Sequence, residues 1–166
     1  MSEAAPSLFS ALRRQLDPCV AMLRAGIVSC DHAHWDVRSG SPPFWEQAYH
    51  TVFWMAAWLR DWSKPFVEPP FHVPEALGFQ GEPSSVIARA DLLRYLDDTR
   101  ADCGRWLDGL TDDVMLAPTM AFGKPWTPVD RILGQVRHVQ HHSGYLNAAL
   151  RFYDLEPAGW VGFQEG

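Results

Sequence analysis

The sequence predicts an all-α chain, a four-helix bundle with long crossover connections, on three observations. Four segments of useful helical length can be read, no run alternates well enough to make a strand, and two long connections, with proline and glycine gathered outside the periodic segments, join them. At 166 residues the chain is long enough for one domain with a substantial core, and nothing in its length divides residues 1–166. A hydrophobic content of 47% with 20% charged residues fits a globular chain, since disordered segments are poorer in aromatic and branched apolar residues.

The first helix is carried by Phe9, Leu12, Leu16, Val20, Leu23 and Ile27, which fall along one side at helical spacing. Asp17-Pro18 interrupts it, either as a kink or as a new start capped by Asp17. Residues 30–40 read as a connection, and Ser41-Pro42-Pro43 as the start of a second helix running to about Trp62. Residues 64–83, with five prolines and two glycines, read as a long connection able to cross the end of the bundle. Ser84 or Ser85 caps the expected third helix, whose periodic positions are Val86, Ala90, Leu93, Leu96, Cys103, Leu107 and Leu110, ending near Gly109. Thr127-Pro128-Val129-Asp130 offers a hydroxyl cap, a first-turn proline and an acid at the positive helix end, opening a fourth helix to about Tyr153.

Charge and composition exclude several function classes. A net charge of −6 without a Lys/Arg cluster argues against nucleic acid as a partner. No stretch reaches the roughly 20 apolar residues of a membrane span, and residues 1–10 lack the pattern of a secretory leader. Cys19, Cys30 and Cys103 are odd in number and lack metal-binding spacing, which suits a reducing compartment. A cytoplasmic protein whose cysteines are small core residues is the expectation. The eight tryptophans are many for this length; Trp54, Trp58 and Trp62 hold helical spacing, which ordinarily means core or helix interface.

The chemistry concentrates in His138-Val139-Gln140-His141-His142, inside the fourth helix. Residues four apart stack on one helix face, so His138 and His142 can present imidazoles to one divalent ion. His141, about 100° around the axis, belongs instead to a pocket wall or a supporting position. Two histidines leave such an ion short of ligands, and His50 is the best third. It sits mid-helix among Tyr49, Phe53, Trp54 and Ala57, where an unpartnered imidazole would be costly to bury. A lone mid-helix histidine is ordinarily a hydrogen-bonded core residue, and it is the pair on the other helix that favours ligation here. Glu46, one turn before His50, is positioned to accept from its second nitrogen. His32, His34 and His72 fall in connections, where exposed or capping roles are usual.

With those residues in view, the chain resembles the DinB-like (DinB/YfiT-like) family of metal-dependent bundles, which is unrelated to the similarly named DNA polymerase. The resemblance rests on His50, on His138 through His142, and on Gly144, and extends less specifically to Lys124-Pro125-Trp126-Thr127-Pro128 and Glu156-Pro157-Ala158-Gly159-Trp160. It implies that His50, His138 and His142 are metal ligands, that the ion is zinc, nickel or another divalent metal, and that the chain forms a homodimer as many members do. It also implies a thiol-dependent transferase or isomerase using a low-molecular-weight thiol. Many members carry Arg after the paired histidines and Gln after the glycine, where this chain has Ser143 and Tyr145. The metal triad is untouched by that departure, which bears on its surroundings and on substrate preference.

Three neutral imidazoles leave an ion its full double charge and at least one open position, the arrangement of catalytic sites. Metal-assisted thiol transfer or isomerisation of a small molecule is the leading expectation. Hydrolysis of a small amide or ester, with Glu46 or His141 assisting proton transfer, uses the same parts. A bundle that binds a metal or ligand without turnover is the reading from a different class, and an interaction module with a tryptophan-rich surface is a third. An all-histidine set suits zinc, nickel, copper or iron, and the family resemblance puts zinc and nickel first.

Overall fold

The computed structural model describes residues 7–38 and 41–162; the first residues of the chain, the end of the expected 30–40 connection and the last four residues lie outside the described residues. Four helices dominate: α1 (Leu8–Ser29), α2 (Phe44–Trp58), α3 (Arg89–Asp108) and α4 (Pro128–Phe152). A one-turn 3-10 helix, Pro74–Leu77, lies between α2 and α3, and a small hairpin of β1 (Thr119–Ala121) and β2 (Lys124–Trp126) precedes α4.

The packed pairs are α1 with α3 and α4, and α2 with α3 and α4, so α1 faces α2 across the diagonal and α3 faces α4. Tyr49 near the start of α2 meets Tyr95 of α3, while Leu59 and Arg60 just past its end share a cavity wall with Cys103 and Trp106. Thus α2 and α3 run parallel. A parallel pair needs its connection to return along the length of the bundle, which is what residues 59–88 do, as the expected crossover required. The core is one contiguous cluster drawn from all four helices, including Leu23, Ile27, Trp45, Tyr49, Leu92, Ile132 and Leu146.

Local boundaries follow from which backbone groups find partners. Pro18 lies inside α1, which continues through it as a single helix. An interior proline removes one hydrogen bond, but Leu12 and Leu16 before it and Val20, Leu23 and Ile27 after it bury the same face, and that packing holds the helix together. Ser41 does not open α2; the helix begins after Pro43 with no side-chain cap. It also stops at Trp58, short of the expected Trp62. There Arg131 of α4 donates to the carbonyls of Trp58 and Arg60, replacing the bonds that further helix would have made. Its guanidinium lies between the Trp62 ring, 3.9 Å away, and the Trp106 ring, 4.4 Å away.

Helix α3 starts three or four residues later than its serines suggest, at Arg89 after Ala88, and neither Ser84 nor Ser85 caps it. Ile87 is buried and its carbonyl accepts from the buried Trp35 indole at 2.8 Å, so core packing holds this stretch extended and leaves Val86 half exposed. Trp35 is thus a core residue. Helix α4 begins as expected: the Thr127 side chain accepts from the Asp130 amide while the Asp130 carboxylate accepts from Thr127, with Pro128 in the first turn.

The hairpin corrects the expectation of no strands. Thr119 pairs with Trp126 and Ala121 with Lys124, leaving Phe122-Gly123 as a two-residue turn with φ of 52° and 72°. Strands of three residues are too short for alternation to register, and Phe-Gly is not a favoured turn pair. After α4 the chain folds back, held by Asn147, whose side chain accepts from and donates to the backbone of Ala158 at 2.9 and 3.1 Å. No helix is long and apolar enough to cross a membrane among the described residues.

Candidate metal centre

The α2–α4 interface brings His50, His138 and His142 together, with one ring nitrogen from each within 4.8 Å of the others. The two helices run antiparallel, so the middle of α2 faces the middle of α4, and the four-residue spacing of His138 and His142 places both rings opposite His50. His142 is buried, and His50 and His138 are half-buried.

Each Nδ1 is engaged by an oxygen. His50 donates to the Leu77 carbonyl at 2.8 Å, His138 to Gln135 Oε1 at 3.2 Å, and His142 to Gln47 Oε1 across the helix interface at 2.9 Å. A neutral imidazole that donates from Nδ1 has its lone pair on Nε2. His50 Nε2 and His138 Nε2 lie 3.1 Å apart, so two lone pairs face each other, an unfavourable contact that a cation between them relieves. Ligands about 2.0–2.1 Å from a tetrahedral zinc sit about 3.3 Å from one another. The 3.1 Å pair lies close to that value and all three nitrogens fall within 4.8 Å of one another, so the residues present fit a small divalent ion.

The electrostatics agree. Burial lowers the pKa of all three histidines from the ordinary 6.5, and proximity to the other rings lowers two further, taking His138 to about 4 and His142 to about 3. The rings are therefore neutral at physiological pH, which is the ligating form. An aromatic wall shields one side: Phe79 stacks on His50 with ring centroids 4.6 Å apart, and Trp54 meets it edge-on at 6.4 Å. Phe79 has a φ of 55°, a conformation bulky residues rarely adopt, so the chain holds local strain to place that ring.

Other expected site residues stand elsewhere. Glu46 does not orient His50, because the Leu77 carbonyl, delivered by the 3-10 turn, already accepts that proton. Its buried carboxylate instead binds Arg38, with burial raising its pKa and the guanidinium opposing the rise. His141 is exposed, its ring 5.0 Å from that of His142. His34 binds Asp31 and stacks on Tyr153, His32 is exposed, and His72 binds the Tyr49 hydroxyl; none joins the centre. The cysteines are buried and free, and burial pushes the thiols of Cys30 and Cys103 to about 12, so neither supplies a thiolate at neutral pH.

Sequence reasoning missed Gln47, Gln135, Leu77 and Phe79. A signal existed for the glutamines, since each lies three residues before a ligand histidine on its own helix. None existed for Leu77 and Phe79, which a long connection brings into place.

A bundle with an uncapped cluster of neutral imidazoles between two antiparallel helices defines the class: a four-helix protein with a three-histidine centre suited to a metal ion. The sequence profile of the DinB superfamily matches residues 11–146, which include all three histidines, and the chain belongs to that family. No curated protein matches the chain.

Proposed function

We propose that the chain binds one divalent ion, zinc or nickel, between His50, His138 and His142, and acts on a small molecule by thiol-dependent transfer or isomerisation. The observation that carries this reading is that one ring nitrogen from each histidine lies within 4.8 Å of the others, with the Nε2 atoms of His50 and His138 facing at 3.1 Å, while every Nδ1 is held by an oxygen. When bound, the ion would supply positive charge that stabilises an anionic nucleophile near neutral pH.

The chain's own groups do the rest. Gln47, Gln135 and the Leu77 carbonyl fix ring orientation and tautomer. Phe79 and Trp54 pack against the His50 ring. His141, exposed beside His142, is the group assigned to assist proton transfer. Glu46 anchors Arg38. The thiol must come from solution, because the protein's own cysteines are buried with pKa values raised by burial.

The test is to load the protein with zinc or nickel, dialyse it, count metal by elemental analysis, and incubate it with low-molecular-weight thiols and electrophilic acceptors beside a panel of esters and amides. One ion per chain and thiol-dependent turnover are expected. A protein that retains no ion sinks the metal reading; thiol-independent hydrolysis sinks the transfer reading alone.

A further inference from the structure

Along α2, His50 is followed on the same face by Trp54, Ala57 and Trp58, at spacings of four, seven and eight. Trp54 meets His50 edge-on and also lines a groove of about 390 Å³ between α2 and the hairpin. Trp58, Trp62, Phe66, Met120 and Phe122 make most of the remaining wall. The groove therefore begins one helical turn from a candidate ligand, about 6 Å, and reaches about 12 Å from it at Trp58.

Two features say what it takes. Arg60 is the one charged residue in the lining, and its guanidinium is already committed to the carbonyls of Ala57, Asp61 and Lys64 and to the face of Phe66, 5.3 Å away. Its Nε and Nη1 donors are thus occupied, and every other residue of the lining is uncharged. At the hairpin tip Phe122 is 79% exposed and holds a φ of 52°, and its ring packs on Trp58 with centroids 5.6 Å apart. Asn, Asp or Gly is the usual residue at such a turn, so phenylalanine costs both backbone strain and apolar exposure there. Met120 beside it is 69% exposed. An apolar guest covering the tip offsets the exposure.

We propose that this groove extends the metal centre and receives an uncharged, flat apolar group of the substrate, joined by a short linker to the atom that reaches the ion. The proposal rests on the metal reading above and names its substrate class: an aryl or similarly apolar small molecule with one donor atom about 6–12 Å from its ring.

Cobalt-loaded protein provides the test, with visible absorption reporting ligand binding. The probes are azide, 2-mercaptoethanol and a series of phenylalkyl thiols from phenylmethanethiol to phenylbutanethiol. Affinity is expected to rise along the aryl series and to exceed that of 2-mercaptoethanol by at least roughly tenfold. Phe122→Asn, which suits the turn, is expected to leave Tm unchanged or raise it while weakening the longest aryl thiol roughly tenfold and leaving azide unaffected. Met120→Glu, a substitution on the exposed strand, should weaken the same thiol without changing Tm. Absence of cobalt bands overturns the metal reading and this proposal with it. Bands that respond to azide, combined with no preference for aryl thiols or no loss in either variant, overturn the groove alone. A wild-type dimer that Phe122→Asn dissociates in sedimentation, with probe affinity unchanged, assigns the groove to a second copy of the chain instead.

Discussion

His50 lies on α2 and His72 packs against the same helix, and both are half-buried, yet their surroundings set them to different work. His72 Nδ1 meets the Tyr49 hydroxyl at 2.6 Å, its Nε2 faces the Glu68 carboxylate at 3.6 Å, and its ring stacks on Phe53. Both nitrogens have partners of complementary kind. His50 gives its Nδ1 proton to a carbonyl and turns Nε2 toward two other imidazoles whose own Nδ1 atoms face acceptors. Burial alone does not separate a structural histidine from a candidate ligand; the partner of the second nitrogen does.

The widest gap between the two regions should open when a ring is removed. His142→Ala is expected to weaken metal binding by more than roughly 100-fold, with elemental analysis after dialysis falling from one ion per chain to near none. His72→Phe should retain the ion. Equal metal content in wild type and His142→Ala would erase the distinction between the two histidines.

Acid provides the next contrast. The three clustered histidines have pKa values lowered in the folded chain, so the folded state binds fewer protons than the unfolded one below 6.5. Their contribution to stability is fully present above 6.5 and is lost as pH falls toward about 3, the lowest of the folded values. Urea melts of the metal-free protein across that window should show midpoints declining with pH, and a flatter decline in a variant with all three rings replaced by glutamine.

A smaller effect falls on the oxygens behind the rings. Gln47→Leu keeps the ligand but removes its orienting acceptor, and a loss of about 10–100-fold in metal affinity is expected by competition with a chelating dye. Gln135→Leu, whose contact is longer and within one helix, should cost less. An unchanged affinity in Gln47→Leu would show that the α2–α4 bond does not set the ring.

The smallest expected change is in the structural region itself. His72→Phe keeps the stack on Phe53 and removes a partner of the buried Tyr49 hydroxyl, so a loss of about 1 kcal/mol in unfolding free energy is expected, with metal content unaltered. A change in metal affinity in that variant would mean the two regions are coupled through α2.

Much of this was legible from local pattern. Helix α4 could be read almost to the residue, because Thr127, Pro128 and Asp130 satisfy its first turn within the segment itself. The pairing of His138 with His142 follows from helical spacing, and His50 stood out as a polar ring in an apolar segment. Boundaries that depend on distant partners were less legible. Trp62 continues the periodicity of α2, yet the helix stops at Trp58 because Arg131, seventy-three residues away along the chain, takes its last carbonyls. Ser84 and Ser85 are good caps that go unused because Ile87 and Trp35 hold the backbone extended.

The sequence by itself determined the helical class, the faces that meet and the three rings, because periodicity and composition act over a few residues. Only the tertiary structure decided what each ring's second nitrogen touches, that Leu77 and not Glu46 orients His50, and that Phe79 and the hairpin wall the α2 face. Those depend on where a thirty-residue connection and a two-residue turn come to rest, and a contact between residues far apart in the chain leaves no period in the sequence to read.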